Sequence, residues 1–431
     1  MQNFDVVIVG AGISGIGAAC HLQAQCPDKT FTILESRRQS GGTWDLFQYP
    51  GIRSDSDMHT LGFNFKPWTD AKSIADGPSI KRYLTETIAE HDLSQHIQHE
   101  HKVLSADWSS EDATWTVTTE HTGETRQFCC NFLMMCSGYY NYDTPYTPDF
   151  KDQEAFRGEI IHPQHWPKDL DYQDKEVLVI GSGATAMTLV PAMAEEAARV
   201  TMLQRSPTYV VARPDQDKIA NTLRKLLPDS VAYALTRFKN TQLQHFMYHR
   251  MRKEPQKMKK GLIGLVREAL GPDYDVEKHF TPKYNPWDQR LCLIPNGDLF
   301  KSIKKGKTHV VTDHVDSFTE NGVKLTSGEE LEADIIVTAT GLNMQVMGGS
   351  TFSVDGRPIN FADTVSYKGM MYAEIPNLIQ TFGYINASWT LRADLTAEYA
   401  CRVINHMDAL GVRQCTPRLR AEDANMPMRP W

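Results

Sequence analysis

The sequence has few cysteines, no excess of positive charge and no long uninterrupted hydrophobic run. Its 8 cysteines lie at irregular positions with no C-x-x-C pair. This excludes a disulfide scaffold and a zinc ribbon, and it favours a reducing, cytoplasmic environment. Since 45 basic and 53 acidic side chains give a formal net charge of -8, the whole chain has no field that attracts nucleic acid or anionic membrane.

An uncharged segment, residues 177–194, is interrupted by Gly, Ser, Thr and Pro. A strand, a turn and a helix of a soluble domain explain it better than a membrane helix does. The N-terminal segment MQNFD lacks the basic residues that begin a secretory signal. We therefore expect no signal peptide and no integral membrane segment.

The order of elements predicts an α/β protein in which one pattern occurs twice. A strand (5–9), a glycine turn, a helix (13–26) and a strand (30–35) open the chain, and the same pattern recurs from Glu176 to Arg205. A length of 431 residues also favours two or three domains. After the second copy come a basic helical stretch over roughly 216–271, an apolar strand ending in Ala339-Thr340-Gly341, and a helix near 388–407. We interpret the basic stretch as the solvated face of an inserted helical lobe, because the acidic residues around it cancel its charge. A membrane or nucleic-acid surface is the alternative.

The first glycine motif is Gly10-Ala-Gly12-Ile-Ser-Gly15, between a β-branched strand and a helix. In this context the first glycine makes the turn, the second admits a pyrophosphate and the third packs the helix on the strand. The phosphate then lies at the helix N-terminus, where free N–H groups favour an anion. Glu35, at the end of the next strand, is placed to accept hydrogen bonds from a ribose diol. A purely structural turn is the alternative.

The second motif is Gly181-Ser182-Gly183-Ala184-Thr185-Ala186. The dinucleotide-binding pattern permits alanine at its last position. The next strand ends in Gln204-Arg205-Ser206, which puts Arg205 almost where the first copy has Glu35. A carboxylate would repel a ribose 2′-phosphate, whereas an arginine binds it with charge-assisted hydrogen bonds. The two copies therefore predict FAD at the first turn and NADPH at the second, unless Arg205 is merely a solvated charge.

These assignments divide the chain into two Rossmann-like dinucleotide-binding domains. We predict a discontinuous FAD-binding domain from 1–145 and 330–431, a linker at 146–174, and an NADP-binding domain at 175–329 with a helical insertion at about 213–285.

The linker carries Phe156-Arg-Gly158-Glu-Ile-Ile-His162-Pro-Gln-His-Trp166-Pro167. This resembles the FxGxxxHxxxW(P/D) fingerprint of Baeyer–Villiger monooxygenases, which are class B flavoprotein monooxygenases. Residues 41–55 resemble the GGTW…YPG-x-R-x-D segment of the same family, and the likeness is closest to its ethionamide-activating branch. A linker whose His162 and Trp166 only pack between two domains is the alternative, and it is compatible with the same resemblance.

The resemblance implies roles for further residues. It implies FAD contacts at Ser14, Glu35, Thr43, Trp44, Asp45, Leu46 and Val103. It implies that Arg53, Ser54 and Asp55 meet both the flavin and the nicotinamide, and that residues 181–186 with Arg205 and Ser206 form the NADP site.

The resemblance also implies that Arg290 is the active-site cation, oriented by Asp55. A permanent cation there would stabilise negative charge during oxygen transfer; a buried ion pair that serves only stability is the alternative. Relatives often have lysine where this chain has Gln289, which softens the expected NADPH preference. They also continue past the last helix, whereas this chain stops at Pro430-Trp431, so we expect part of the substrate cover to be missing.

The implied activity is oxidation of a ketone to an ester or lactone with NADPH and O2, with sulfoxidation of thioethers as a second activity. No metal site is expected. An N- or S-hydroxylating flavin monooxygenase and a non-catalytic flavin-binding redox sensor remain alternatives. A disulfide reductase is a weaker one, because Cys129-Cys130 lies at the start of a predicted strand.

Overall fold

The computed structural model describes residues 1–289, 291–384, 386–423 and 425–427. In these residues the strands are β1 (Gln2–Val9), β2 (Phe31–Leu34), β3 (Ile97–Gln98), β4 (Lys102–Ser109), β5 (Thr114–His121), β6 (Glu124–Met135), β7 (Tyr140–Pro145), β8 (Glu159–Ile161), β9 (Glu176–Ile180), β10 (Arg199–Gln204), β11 (Tyr209–Arg213), β12 (Leu291–Pro295), β13 (Thr308–Thr312), β14 (Val315–Thr319), β15 (Gly322–Leu325), β16 (Glu330–Glu332), β17 (Ile335–Thr338), β18 (Leu342–Met344), β19 (Thr351–Val354), β20 (Arg357–Pro358), β21 (Ser366–Tyr367), β22 (Met371–Tyr372) and β23 (Leu378–Gln380).

The α-helices of the same residues are α1 (Ile13–Gln25), α2 (Thr43–Leu46), α3 (Met58–Leu61), α4 (Gly77–Glu90), α5 (Ala184–Met193), α6 (Lys218–Leu226), α7 (Asp229–Lys253), α8 (Pro255–Leu270), α9 (Val276–Phe280), α10 (Asp298–Lys304) and α11 (Thr390–Leu410). Short 3₁₀ turns occur at Leu93–His96, Gln153–Ala155, Pro163–His165, Val346–Gly349, Phe361–Asp363 and Ala421–Asp423.

The first sheet is built on β1. Its residues 6–9 form a continuous apolar run that is buried on both faces, as expected of a central parallel strand covered by helices or other layers. β1 pairs in parallel with β2 and β6, and Val7 lies opposite Thr32 and Leu133. The strand order is β20-β19-β4-β5-β6-β1-β2-β3, with β23 also paired to β6. We call the chain segments that build this sheet the first unit.

The second sheet has five parallel strands in the order β13-β10-β9-β17-β8. The predicted return to the first unit at residue 330 is wrong, because the apolar strand β17 lies between β9 and β8 and so completes this sheet. Residues 159–161 of the predicted linker also belong to it as β8. The chain segments that build this sheet, with the helices inserted between its strands, form the second unit.

Each sheet is covered on both faces by an apolar core. One core of the second unit also contains Phe47 and Tyr49, which are both 7% exposed and come from the loop after α2. This loop therefore crosses from the first unit into the second. The predicted α/β class with two repeated dinucleotide folds is confirmed.

The helical insertion predicted at about 213–285 is present as α6–α9 and contacts the first unit. The Tyr233 hydroxyl on α7 donates to the carbonyl of Phe63 at 2.9 Å. The Arg237 guanidinium donates to three carbonyls around α3, at 2.8–3.2 Å. The insertion thus links the two units. No helix in the described residues is both long and apolar enough to cross a membrane.

Candidate active site

The first glycine turn has the geometry that its motif predicts. Gly10 adopts φ +103°, and a Cβ built there would lie 2.7 Å from the carbonyl oxygen of Cys136. A Cβ on Gly15 would lie 1.8 Å from the carbonyl oxygen of Gly10, because α1 packs directly on the turn. Packing within the protein therefore explains the first and third glycines.

The middle glycine of each turn is not required by such packing. A Cβ on Gly12 would meet nothing closer than Gly42 Cα at 3.6 Å, and one on Gly183 would meet nothing within 4 Å. Gly12 and Gly183 are also the N-caps of α1 and α5, and neither helix start is capped by a side-chain hydrogen bond. A glycine, open space and free backbone donors at a helix N-terminus fit the close approach of a pyrophosphate.

Glu35 lies at the first turn. Its side-chain oxygens accept hydrogen bonds from the backbone N–H of Ala11 at 2.7 Å and of Arg37 at 2.9 Å. The residue is 5% exposed. The Ser36 hydroxyl also donates to it, at 3.4 Å. A carboxylate has about four acceptor sites, so it can still accept from a ribose hydroxyl, and the residues at this turn fit an adenosine ribose without a 2′-phosphate.

The second turn repeats this geometry with opposite charge. Gly181 adopts φ +139°, and a Cβ there would lie 2.2 Å from the carbonyl oxygen of Ala339. The Ser182 hydroxyl donates to the carbonyl of Ser206 at 3.2 Å, which brings the turn next to the end of β10. Arg205 is exposed there, and its guanidinium has no hydrogen bond or ion pair with any residue that the structure describes. These residues fit a phosphorylated ribose.

The segment Gly41–Leu46 closes over the first turn. Gly41 N donates to the carbonyl of Ala11 at 2.9 Å, and the hydroxyls of Thr43 and Tyr142 are 3.3 Å apart. Asp45, predicted to line FAD, is 6% exposed, and its carboxylate pairs with Arg37 at 2.7 Å and Lys81 at 2.5 Å. That carboxylate holds the loop to α4 through Lys81.

Arg53 joins the two units. Its guanidinium pairs with Asp298 at 2.5 Å and donates to the carbonyl of Met187 on α5 at 3.3 Å. Ser54 is 3% exposed, and its hydroxyl donates to the carbonyl of Ser56. Asp55 is exposed on the same segment. The predicted contact of these three residues with flavin and nicotinamide stays a prediction.

The segment 156–167, which resembles the family fingerprint, includes β8, the edge strand of the second sheet. Phe156 is 8% exposed in a core of the second unit, and a Cβ on Gly158 would lie 2.2 Å from the carbonyl oxygen of Asp334. Trp166 packs against the other core of that unit, whereas Pro167 is exposed. Phe156 and Gly158 thus have packing roles.

His162 is held at both ring nitrogens. Its Nδ1 accepts a hydrogen bond from Gln164 N at 3.1 Å, so the proton lies on Nε2, which donates to the carbonyl of Gly341 at 3.1 Å. Burial lowers the pKa of His162 below 6.5. The Gln164 amide donates to the carbonyls of Asn141 and Tyr142 at 3.0 and 2.9 Å. A neutral His162 therefore pins the linker to the chain just after β17.

The four remaining residues predicted to contact FAD lie in different parts of the two units. The Ser14 hydroxyl accepts a hydrogen bond from Trp389 Nε1 at 2.7 Å. Trp44 packs against a core of the first unit, Leu46 against one of the second, and Val103 is 6% exposed in a core of the first. Arg290, the predicted active-site cation, lies outside the described residues, as do Pro430 and Trp431.

The sequence did not identify the residues whose ion pairs position the predicted site residues Asp45 and Arg53. Asp298, Arg37 and Lys81 belong to no motif, and Asp298 is 245 positions from its partner Arg53.

The Cys129-Cys130 pair lies in the middle of β6, not at the start of a strand, and burial raises the pKa of the Cys130 thiol. A redox-active cysteine pair is therefore not supported there.

Two turns that fit dinucleotides, with an acidic ribose site at one and a basic site at the other, define the class as a two-domain dinucleotide-binding oxidoreductase. The family model for flavin-binding monooxygenase-like proteins matches residues 64–267. The model for an NAD(P)-binding Rossmann-like domain matches residues 8–76.

Known relatives define the family more narrowly. The FAD-containing monooxygenase EthA of Mycobacterium tuberculosis is 56% identical over 411 residues, which are 95% of this chain and 84% of the relative. The probable FAD-binding monooxygenase AlmA of Acinetobacter baylyi is 49% identical over 418 residues, 96% of this chain and 84% of the relative. The chain belongs to this family of flavin-binding monooxygenases.

Solved structures show the same fold. A cyclohexanone monooxygenase bound to ε-caprolactone has a TM-score of 0.81 at 21% identity, covering 98% of this chain and 91% of that chain. A steroid monooxygenase bound to NADP has a TM-score of 0.79 at 22% identity, covering 96% and 87%.

Proposed function

We propose that this chain uses NADPH, FAD and O2 to insert one oxygen atom into ketones, giving esters or lactones, with sulfoxidation of thioethers at the same site. The contrast between the two turns carries the proposal. Glu35 is buried beside one turn and hydrogen-bonded to it, whereas Arg205 is exposed and uncommitted beside the other. The FAD-containing relatives and the NADP-bound steroid monooxygenase support the same pairing of cofactors. A cytoplasmic location, favoured by eight free cysteines, is part of this proposal.

The chain would hold each cofactor at a helix N-terminus. The first backbone N–H groups of α1 would bind the FAD pyrophosphate and those of α5 the NADPH pyrophosphate, because a helix N-terminus carries free donors and a partial positive charge. When bound, NADPH supplies hydride and FAD supplies the oxygen-transfer chemistry. Glu35 would bind one ribose, and Arg205 the 2′-phosphate of the other.

The remaining residues orient the two halves. Arg53 and the loop around Phe47 and Tyr49 fix the first unit against α5. His162 is neutral and bonded at both nitrogens, so a role in positioning the linker suits it better than proton transfer. The predicted role of Arg290, to stabilise negative charge as oxygen is transferred, belongs to this proposal.

The proposal is tested by chromatography of products from a panel of ketones, thioethers and amines, with NADPH and oxygen supplied. Esters or lactones formed in step with ketone-dependent NADPH consumption are expected. Hydroxylamines from amine substrates, with no ester from any ketone, would favour an N-hydroxylating enzyme. NADPH consumption that no substrate stimulates would favour a redox sensor.

A further inference from the structure

One segment has a charge opposite to that of the whole chain. Residues 218–260, which we call the basic lobe, contain eleven basic side chains but only two acidic ones, Asp229 and Glu254. The segment covers α6, α7 and the start of α8. The formal charge of these residues is +9, against -8 for the chain. Three of the basic side chains pair with acidic residues outside the segment, Arg237 with Asp394, Lys239 with Asp217 and Arg252 with Asp288. The lobe therefore keeps a net positive charge of about +6, which is local to it.

Four large apolar side chains are exposed on the outer face of α7, where Gln242 and His249 also lie. Val231, Leu235, Phe238 and Phe246 fall on one face at 100° per residue and are 44%, 48%, 66% and 57% exposed. We call these four residues the apolar stripe. A surface helix ordinarily turns its apolar face to the core, but here the opposite face, which includes Tyr233 and Asn240, is buried. The face predicted from sequence to be merely solvated is therefore apolar as well as basic.

The basic lobe has further exposed apolar residues and unpaired charges. Leu226 at the end of α6 is 73% exposed and Ile219 is 56% exposed. A cleft of about 360 Å³ runs beside Phe238, between α7 and residues 64–67. Among the described residues, no side-chain hydrogen bond or ion pair forms at four exposed lysines of the lobe: Lys218, Lys225, Lys253 and Lys260.

We propose that the basic lobe docks the enzyme on an anionic lipid surface. The apolar stripe enters the headgroup region, and the lysines bind lipid phosphates. An amphipathic helix with large apolar side chains and adjacent basic residues is the ordinary form of such a contact, and it lies in the surface without crossing the membrane. Charge decides between occupants, because two facing lobes that are both net positive would repel each other. A nucleic acid would neutralise the lysines but leave Val231 and Leu235 in water.

The test is flotation of the full-length flavin-loaded enzyme with vesicles. Binding is expected with phosphatidylcholine vesicles that contain phosphatidylglycerol, not with phosphatidylcholine alone, and high salt should weaken it. Each lysine near such a surface contributes about fivefold in affinity. The triple variant Lys225→Glu/Lys253→Glu/Lys260→Glu should therefore lose on the order of a hundredfold or more. The double variant Phe238→Ser/Phe246→Ser should lose at least about tenfold.

Matched controls separate this surface from general charge and hydrophobicity. The triple variant Lys168→Glu/Lys305→Glu/Lys324→Glu makes the same charge change at exposed lysines outside the lobe, and Leu395→Ser removes an exposed leucine of α11. Both should bind vesicles as the parent does. Flavin content and circular dichroism check that every variant is folded, and vesicle binding is measured without turnover, so the result is independent of the proposed activity.

Three outcomes would overturn the proposal. One is equal binding to both kinds of vesicle, or none to either. Another is a loss of binding in the control variants as large as in the lobe variants. The third is self-association, or retention of duplex DNA, that the lobe variants abolish while vesicle binding is unchanged; this would assign the lobe to a second copy or to a nucleic acid.

Discussion

Glu35 and Arg205 lie at corresponding places after the two glycine turns, yet their surroundings differ. The carboxylate is buried against backbone N–H groups of the turn, so its position is fixed before any ligand binds. The guanidinium is exposed, so it would become ordered only on a phosphate. At the residue scale, the chain thus has one preformed ribose site and one adaptable site.

Replacement of the middle glycines should separate the two cofactors. Gly12→Val should give a folded but largely flavin-free protein, because its side chain has room in the protein but would occupy the space of the pyrophosphate. Gly183→Val, its matched control, should keep FAD and lose NADPH binding. Flavin absorbance per protein and the NADPH KM measure the two effects; full flavin occupancy in Gly12→Val would contradict the placement of FAD.

Arg205 should set the coenzyme preference. A hydrogen bond to a charged group contributes about 1.5–3 kcal/mol, so Arg205→Ala should raise the NADPH KM by about ten- to a hundredfold. NADH has no 2′-phosphate, so its KM serves as the internal control and should hardly change. Equal losses with both coenzymes would show that Arg205 is structural, and an unchanged preference would show that another residue binds the phosphate.

The role implied for Arg290 can be measured by coupling. Removal of one preorganised donor typically costs a factor of 10²–10³, or about 2.7–4 kcal/mol. In Arg290→Ala, NADPH oxidation should continue while hydrogen peroxide replaces ester as the product. The measurement is ester formed per NADPH consumed, with the Tm recorded alongside. Near-normal coupling in a stable variant would remove Arg290 from the reaction, and a large drop in Tm would indicate a structural ion pair.

At the scale of elements, the loop between α2 and α3 ties the two units together through the ion pair of Arg53 and Asp298. Their side chains are 14% and 30% exposed. In a double-mutant cycle with Arg53→Ala and Asp298→Ala, we expect a coupling energy of about 0.5–3 kcal/mol in the free energy of unfolding.

An exposed ion pair provides the control for that cycle. Arg157 and Glu320 are 2.8 Å apart, but their side chains are 74% and 60% exposed, so solvent screening should reduce their coupling to about 0.2–1 kcal/mol. If the Arg53 cycle gave no more coupling than this pair, the contact would not hold the two units together.

At the scale of the whole molecule, four histidines predict a loss of stability in acid. Burial lowers the pKa of His59, His101, His162 and His279 below 6.5. Below that pH the unfolded chain binds more protons than the folded one, so the free energy of unfolding decreases as pH falls through this range.

The measurement is the Tm between about pH 7 and pH 5, on either side of the ordinary histidine pKa. The Tm should fall over this interval. His101→Phe should make the fall shallower, because the ring at this 4% exposed position then no longer titrates. A Tm that is constant or rises towards acid would show that these histidines do not control stability.

The same scale explains why the sequence favoured a solvated face for the basic lobe and did not show its exposed apolar residues. The acidic residues around the basic stretch suggested that its charge is cancelled, but the sequence does not show which basic side chains they pair with. Only the fold shows which face of α7 the first unit covers, and that face includes Tyr233 and Asn240. The apolar stripe is exposed as a consequence.

Spacing along the chain alone determined the two turns, their strands and the charge after each. Gly10, Gly15 and Gly181 could be assigned because a positive φ or a close helix approach is set by atoms within a few elements of the turn. Glu35 and Arg205 followed, because a strand's length places its last residue beside the turn. These features are local, so the residue pattern contains them.

Tertiary structure alone decided which distant segments meet. β17 joined the second sheet instead of the first, Arg53 paired with Asp298, and Lys81 of α4 paired with Asp45. An apolar strand or a charged side chain has many acceptable partners in a sequence of this size. Which partner it meets depends on how the complete cores pack, and no local pattern encodes that choice.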